Sequence, residues 1–88
     1  MKKNREGINY RLKKIISQIL KIGLNEVDEG LHIDNNPNWD SLKHLKLIIA
    51  LENEFDITID SEDISRMLDF KSINKIVSLY EDSKHDIL

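Results

Sequence analysis

The feature that most constrains the fold is a long apolar helix, predicted from about Ser41 to Phe55. A loop rich in turn-forming residues ends at Asp40, whose side chain is well suited to cap the first turn of a helix. At about 100° per residue, two apolar stripes run along this helix about 130° apart. The first consists of Leu47, Ile48, Leu51 and Phe55, and the second of Leu42, Leu45 and Ile49. One stripe is enough to face a small core, so we expect the second to contact a partner; the alternative is that both are buried.

Helical spacing of apolar residues predicts a first helix from about Glu6 to Ile22. We expect this helix to end at Gly23, because a left-handed conformation costs glycine least. Residues 24–40 then form a long loop without sustained periodicity. Four apolar side chains are expected to hold this loop in an ordered form against the core: Leu24, Val27, Leu31 and Ile33.

The segment Ile57-Thr58-Ile59 alternates like a strand, but no second strand is evident to pair with it. We therefore interpret it as an extended loop with two isoleucines turned inward. Asp60 or Ser61 is expected to cap a short third helix. The buried side of that helix should contain Ile64, Met67 and Leu68.

A last helix is predicted to begin at a cap formed by Ser72. Its apolar residues repeat at helical spacing: Ile73, Ile76, Val77 and Tyr80. The chain from about Asp82 to Leu88 is expected to fray. Together these segments predict an all-α fold, a four-helix bundle with a long loop between helices 1 and 2 and a short third helix. We expect one domain over residues 1–88, with its core at about 6–82.

Composition limits the possible functions of the 88 residues. The chain has no cysteine, which excludes disulfides, thiolate metal sites and cysteine nucleophiles and fits a reducing cytoplasm. No apolar stretch is long enough to span a membrane. We therefore expect a cytoplasmic monomer without stable membrane association.

Charge is unevenly distributed along the chain. Residues 1–22 contain seven basic residues and one acidic residue, whereas the whole chain has a net charge of −3. A basic helix can indicate nucleic acid or an anionic membrane as the partner. Nucleic-acid-binding domains usually carry an overall basic field, however, so we prefer a solvated helix face, paired with the acidic remainder, and predict no nucleic-acid partner.

The motif Asp40-Ser41-Leu42 and the following apolar helix, which ends Ala50-Leu51-Glu52-Asn53-Glu54-Phe55, resemble the prosthetic-group site of acyl carrier proteins. The layout of that family recurs over roughly residues 8–80. In the family, the serine of this motif carries 4′-phosphopantetheine as a phosphodiester, and a helix N-terminus favours such an anion. The resemblance implies that Ser41 is the attachment site. It also implies a non-catalytic carrier of acyl or aminoacyl groups, bound as thioesters.

The resemblance assigns roles to the neighbours of Ser41 as well. Asp40 matches the aspartate that helps to hold the metal ion while a phosphopantetheinyl transferase loads the carrier; magnesium suits such a site. The chain itself shows no pattern for a metal site of its own. Contact positions for partner enzymes are matched by Leu42, Leu45 and Ile49, and acidic positions further along by Glu52 and Glu54.

Two features depart from common members of the family. Lys43 and Lys46 stand where carriers of fatty-acid synthesis have acids, and Asn36-Pro37-Asn38-Trp39 replaces the paired glycines of peptidyl carriers. We therefore expect a stand-alone acyl or aminoacyl carrier in a dedicated pathway. Its expected partners are the transferase, a loading ligase or acyltransferase, and a downstream synthase or transferase.

Other residues near the motif have structural interpretations. His44 is expected to be a satisfied structural histidine rather than a base or ligand, and His32 and His85 show no metal-binding pattern. Trp39 either packs beside the prosthetic group or anchors the loop half-buried. No set of nucleophile, base and acid supports an enzyme. The alternatives are a small helical adaptor in which Ser41 is unmodified, and a housekeeping carrier of fatty-acid synthesis.

Overall fold

The computed structural model describes residues 7–85, with side chains up to residue 84, and contains four helices in that range. They are α1 (Ile8–Leu20), α2 (Ser41–Phe55), α3 (Ser61–Ile64) and α4 (Phe70–His85). The loop between α1 and α2 contains two 3₁₀ turns, Leu24–Glu26 and Ile33–Asn35. The described part of the chain has no strand. The predicted all-α fold, with its long loop and short third helix, is confirmed.

The core forms where α1 packs against both α2 and α4. The bounds predicted for α2 are confirmed, and the four residues of its first stripe are all buried. The buried apolar residues are Leu12, Ile16, Leu20, Val27, Leu31, Trp39, Leu47, Ile48, Leu51, Phe55, Ile59, Met67, Phe70, Ile73 and Val77. Every helix except α3, together with the long loop, thus contributes fully buried side chains to one core.

The end of α1 differs from its prediction. The helix stops at Leu20, and Lys21 rather than Gly23 adopts the left-handed conformation, with φ 57° and ψ 49°. The chain has to turn early because Asn38 Nδ2 donates to the carbonyl of Leu20 at 3.0 Å and draws the loop against the helix end. Gly23 is extended instead, and its N–H donates to Glu26 Oε1 at 2.8 Å. The predicted start at Glu6 lies outside the described residues, as do Lys2, Lys3 and Arg5.

The long loop is ordered, as predicted, but only some of the expected residues hold it. Val27 and Leu31 are buried and Ile33 is half-buried, whereas Leu24 is exposed because it opens a 3₁₀ turn at the surface. Two backbone hydrogen bonds also tie the loop to the segment before α4. The N–H of Ile33 donates to Leu68 at 2.8 Å, and the N–H of Phe70 donates to Leu31 at 3.1 Å.

Residues 57–59 pair with no strand of the described chain, as predicted. Of the two isoleucines expected to turn inward, Ile59 is buried and Ile57 is half-buried against the core. The third helix starts at Ser61, but the Asp60 side chain makes no capping hydrogen bond. Instead, the N–H of Asp60 donates to the Tyr80 hydroxyl at 3.0 Å, and this hydroxyl donates to Asp63 at 2.6 Å. The pKa of Tyr80 is raised, chiefly by burial. These bonds attach α3 to α4.

Residues after α3 correct two further predictions. The helix ends at Ile64, so Met67 is buried from the following turn, and Leu68 is 37% exposed rather than part of the buried side. Asp69, not Ser72, caps α4: its Oδ1 accepts from the Ser72 N–H at 2.7 Å. This hydrogen bond is the main reason that the pKa of Asp69 lies below its ordinary value.

The C-terminal end of α2 is closed by two cations from distant parts of the chain. Arg11 Nη2 donates to the carbonyl of Glu54 at 3.2 Å, and the Arg11 guanidinium lies 4.3 Å from the centroid of the Phe55 ring. Lys84 Nζ donates to the carbonyl of Phe55 at 2.8 Å. Cations suit the negative end of the helix dipole. Because α4 continues to His85, the chain is still helical beyond Asp82, where fraying was predicted; residues 86–88 lie outside the description.

We expect Phe55→Ala to lower the free energy of unfolding by roughly 3–5 kcal/mol, because the ring is almost fully buried between helices. Leu42→Ala should cost less than about 1 kcal/mol, because that side chain is 59% exposed. Urea unfolding followed by circular dichroism measures both values. A larger loss for Leu42→Ala would contradict the assignment of the two stripes.

Asp69→Ala should lower the free energy of unfolding by about 1 kcal/mol at neutral pH, since it removes the cap of α4. The folded-state pKa of Asp69 is lowered, so its contribution is complete above the unfolded value of about 3.9 and is lost as the pH falls through the folded value. The stability difference between the two proteins, from urea unfolding, should therefore shrink below about pH 4. Asp82→Ala, an exposed change on the same helix, is the control. A difference that grows on acidification would contradict this account.

Candidate functional site

The first turn of α2 is capped by Asp40, as predicted. Asp40 is extended, and its Oδ1 accepts from the Lys43 N–H at 2.9 Å, while its carbonyl accepts from the His44 N–H at 2.8 Å. A side-chain oxygen at this position satisfies one of the N–H groups that a helix start leaves unpaired. The cap therefore comes from the residue before the serine.

Ser41 is the first residue of α2 and is exposed. Because Asp40 performs the capping, the Ser41 hydroxyl makes no hydrogen bond to any residue of the described chain. The N–H groups of Ser41 and Leu42 likewise donate to no described residue. The site thus presents a free hydroxyl next to two free N–H groups at the positive end of the helix dipole, an arrangement that suits a covalently attached phosphate.

The second apolar stripe of α2 begins beside Ser41 and faces outward. Leu42 is 59% exposed, Leu45 is 56% exposed and Ile49 is 51% exposed. The alternative that the helix buries both stripes is therefore wrong. Three large apolar side chains in one row, at helical spacing, form an exposed patch suitable for a partner. We call Leu42, Leu45 and Ile49 the outer stripe.

Hydrogen bonds of Trp39 and His44 connect the long loop, α2 and the end of α3. Trp39 is buried, and its Nε1–H donates to His44 Nδ1 at 3.1 Å; His44 Nε2 lies 3.1 Å from the carbonyl of Ile64. If Nδ1 accepts, the proton is on Nε2, which can then donate to Ile64. The structural interpretation of His44 is thus confirmed. Trp39 is more deeply buried than a half-buried anchor, and it links the loop, α2 and the end of α3.

The charged residues of α2 divide into two groups. Both acids are engaged within the chain: Glu52 Oε2 accepts from the Ile59 N–H at 2.9 Å, and Glu54 Oε2 lies 3.0 Å from Arg11 Nε. The side chains of Lys43 and Lys46 make no hydrogen bond or ion pair with described residues. The role of these four residues in partner binding stays a prediction.

The remaining histidines and acids form no further site in the described residues. His32 Nδ1 accepts from the Asp34 N–H at 3.0 Å and so belongs to a 3₁₀ turn; the His85 side chain lies outside the description. No cluster of three or more histidine, aspartate or glutamate side chains suited to a metal ion was found there. A search of the same residues for helices that could cross a membrane found none.

The chain is similar to three acyl carrier proteins along most of its length. It is 37% identical over 61 residues to the acyl carrier protein of Buchnera aphidicola subsp. Schizaphis graminum, covering 69% of this chain and 77% of that protein. It is 33% identical over 67 residues to polyketide-8 synthase acyl carrier protein 1 of Streptomyces avermitilis, covering 76% and 80%. It is 32% identical over 72 residues to the acyl carrier protein of Nitratidesulfovibrio vulgaris, covering 82% and 95%. No family model matches the chain.

The chain is an all-α domain that presents an exposed serine at the start of an apolar helix. On the similarity to these relatives, the chain belongs to the acyl carrier protein family. Members of this family are non-catalytic proteins that carry a phosphopantetheine group and act together with biosynthetic enzymes. The resemblance identified from the Asp-Ser-Leu motif is thereby confirmed.

We expect His44→Ala to lower the free energy of unfolding by about 1–3 kcal/mol, because it leaves the indole N–H of Trp39 and the carbonyl of Ile64 without their partner. Trp39 is the only tryptophan of the chain, so its fluorescence reports urea unfolding directly. Lys46→Ala, an exposed change on the same helix, should stay within about 0.5 kcal/mol of the wild type. Equal effects of the two substitutions would show that the His44 bridge adds no stability.

Proposed function

We propose that this acyl carrier protein carries acyl or aminoacyl groups as thioesters on a 4′-phosphopantetheine arm attached to Ser41. The arm supplies the thiol, which a chain without cysteine lacks. A dedicated biosynthetic pathway, rather than housekeeping fatty-acid synthesis, is the proposed setting. The observation that carries the proposal is the exposed, unbonded hydroxyl of Ser41 at the start of α2.

Attachment requires a transferase to reach and deprotonate the Ser41 hydroxyl. Exposure of Ser41 and the absence of a hydrogen bond to a described residue support this access. The attached phosphate would lie beside the free N–H groups of Ser41 and Leu42. Ser41 has no capping role to give up on modification, because Asp40 provides the cap.

Asp40 is proposed to have a second role during loading. Its Oδ1 accepts from the Lys43 N–H, whereas its Oδ2 has no hydrogen-bond partner among described residues. A single carboxylate oxygen suits magnesium, which binds to few protein ligands and keeps several waters. We propose that Oδ2 contacts the metal ion of the transferase reaction, as the resemblance to the family suggests.

The outer stripe is the proposed contact surface for partner enzymes. The stripe starts next to Ser41, so an enzyme bound to it has the arm within reach of its active site. The proposed partners are a phosphopantetheinyl transferase, a loading ligase or acyltransferase, and a downstream synthase or transferase. Lys43 and Lys46 support a dedicated set of partners, because they place positive charge where carriers of fatty-acid synthesis have acids.

We expect Ser41→Ala to abolish loading while the domain stays folded, because Asp40 retains the cap. The measurement is intact mass after incubation with coenzyme A and a broad-specificity phosphopantetheinyl transferase; the wild type should gain one phosphopantetheine.

The chain offers a matched control at its second Asp-Ser pair. Ser61 also follows an aspartate, is exposed and opens a helix, but α3 has only four residues. Ser61→Ala should be loaded like the wild type. A mass gain that persists in Ser41→Ala, or an unfolded variant by circular dichroism, would contradict the assignment. No gain in the wild type would favour the adaptor with an unmodified Ser41.

A further inference from the structure

We propose that the dedicated partners of this carrier present carboxylates around an apolar pocket, because the docking face of α2 is apolar and positively charged. This inference rests on the proposed function, which makes the outer stripe the surface that partners bind. It goes further by fixing the sign of the charge on the partner.

The two lysines lie along one edge of the outer stripe. With 3.6 residues per turn, Lys46 is about 40° from Leu42 around the helix axis, and Lys43 is about 100° from it. Lys46 is exposed and Lys43 is half-buried. An enzyme that covers Leu42 therefore meets the ammonium group of Lys46 at the rim of the contact, whereas Lys43 lies further round the first turn, two residues after Ser41.

The acids of α2 lie toward its C-terminal end. Glu52 is only about 20° from Leu45 around the axis, but its carboxylate accepts from the Ile59 N–H and so holds the loop after α2. Glu54 lies near the far end of the helix and is paired with Arg11. Between Ser41 and Ala50 the helix contains no acid at all. From Ser41 to Ala50 the side chains of α2 therefore carry only positive charge, although Asp40 precedes this segment and the whole protein has a net charge of −3.

Complementary charge around an apolar contact acts mainly on the rate of encounter and on the choice of partner. A partner with carboxylates facing Lys43 and Lys46 is steered toward Ser41, whereas a basic surface is repelled from it. The interaction involves exposed charges, so added salt should weaken both effects.

An anionic membrane is the other surface that an apolar and basic helix face could contact. The structure favours a protein. The outer stripe has only three apolar side chains, the opposite face of α2 is buried, and two lysines contribute only weakly against the negative net charge of the domain.

The test compares Lys43→Glu/Lys46→Glu with a matched control, Lys71→Glu/Lys75→Glu, in which two exposed lysines of α4 are reversed. Both variants change the net charge equally, so they differ only in where the charge lies. The probes are a fatty-acid-type phosphopantetheinyl transferase with a basic carrier-facing surface, and the same enzyme with that surface changed to glutamates. Loading is timed by intact mass at low and high salt.

At low salt, the basic transferase should load Lys43→Glu/Lys46→Glu roughly tenfold faster than the wild type, and the acidic transferase should show the reverse order. The control should stay within about twofold of the wild type, and high salt should remove most of the difference. Equal rates for both variants with each enzyme would overturn the inference and leave the proposed function standing. No mass gain in any carrier would overturn the proposed function and the inference with it.

A competition arm needs no engineered enzyme. Ser41→Ala is added to the wild type and to both charge variants, so that none of them can be loaded. Each protein is then used as an inhibitor while the basic transferase loads a fatty-acid carrier, and its inhibition constant is measured. The Lys43→Glu/Lys46→Glu form should inhibit about tenfold more strongly than Ser41→Ala alone; equal inhibition constants would overturn the inference. Sedimentation with vesicles of phosphatidylglycerol tests the membrane alternative. If the wild type binds these vesicles and Lys43→Glu/Lys46→Glu does not, the inference is overturned. If the wild type does not bind them, the inference is supported.

Discussion

Burial of one face of α2 determines most of the structure. Leu47, Leu51 and Phe55 are almost completely excluded from solvent, chiefly by α1 packing against α2. Once these side chains point inward, the 3.6-residue period of the helix determines the direction of every other side chain of α2. Leu42, Leu45 and Ile49 must face outward, in a row that begins at the first turn. The same burial that stabilises the fold therefore exposes the row beside Ser41.

At the start of α2, one residue caps the helix and the next residue presents an exposed hydroxyl. Serine is a common helix cap, and a capping serine uses its hydroxyl to bind a backbone N–H. Here Asp40 binds the N–H of Lys43, and the hydroxyl of the next residue stays unbonded within the described chain. Three residues later, His44 connects this turn to Trp39 and to the carbonyl of Ile64. The proposed attachment site is thus surrounded by groups that are already fixed.

Periodicity and capping preferences were sufficient to predict α2, its two stripes and the order of the four helices, because these depend on residues close in sequence. One error occurs where a distant contact decides: Lys21 takes the left-handed conformation because Asn38 holds the end of α1. Another is local: both Asp69 and Ser72 are good caps, and residue type alone does not tell which of them caps α4. The sequence also could not show that Glu52 is occupied by the N–H of Ile59, or Glu54 by Arg11. Among the described residues, only the ion pair with Arg11 offsets a charge of α2, that of Glu54.

The two ends of α2 also differ in how far along the chain their partners lie. The first turn is closed by Asp40, three residues from the N–H that it binds. In the last turn, the N–H groups of Asp56 and Ile57 both donate to the carbonyl of Glu52, whereas the carbonyls of Glu54 and Phe55 are bound by Arg11 and Lys84, 43 and 29 residues away. Closing long loops costs conformational entropy before any contact compensates for it. Both ends of the helix can therefore be capped by local contacts, whereas the bonds to Arg11 and Lys84 require that α1 and α4 have docked.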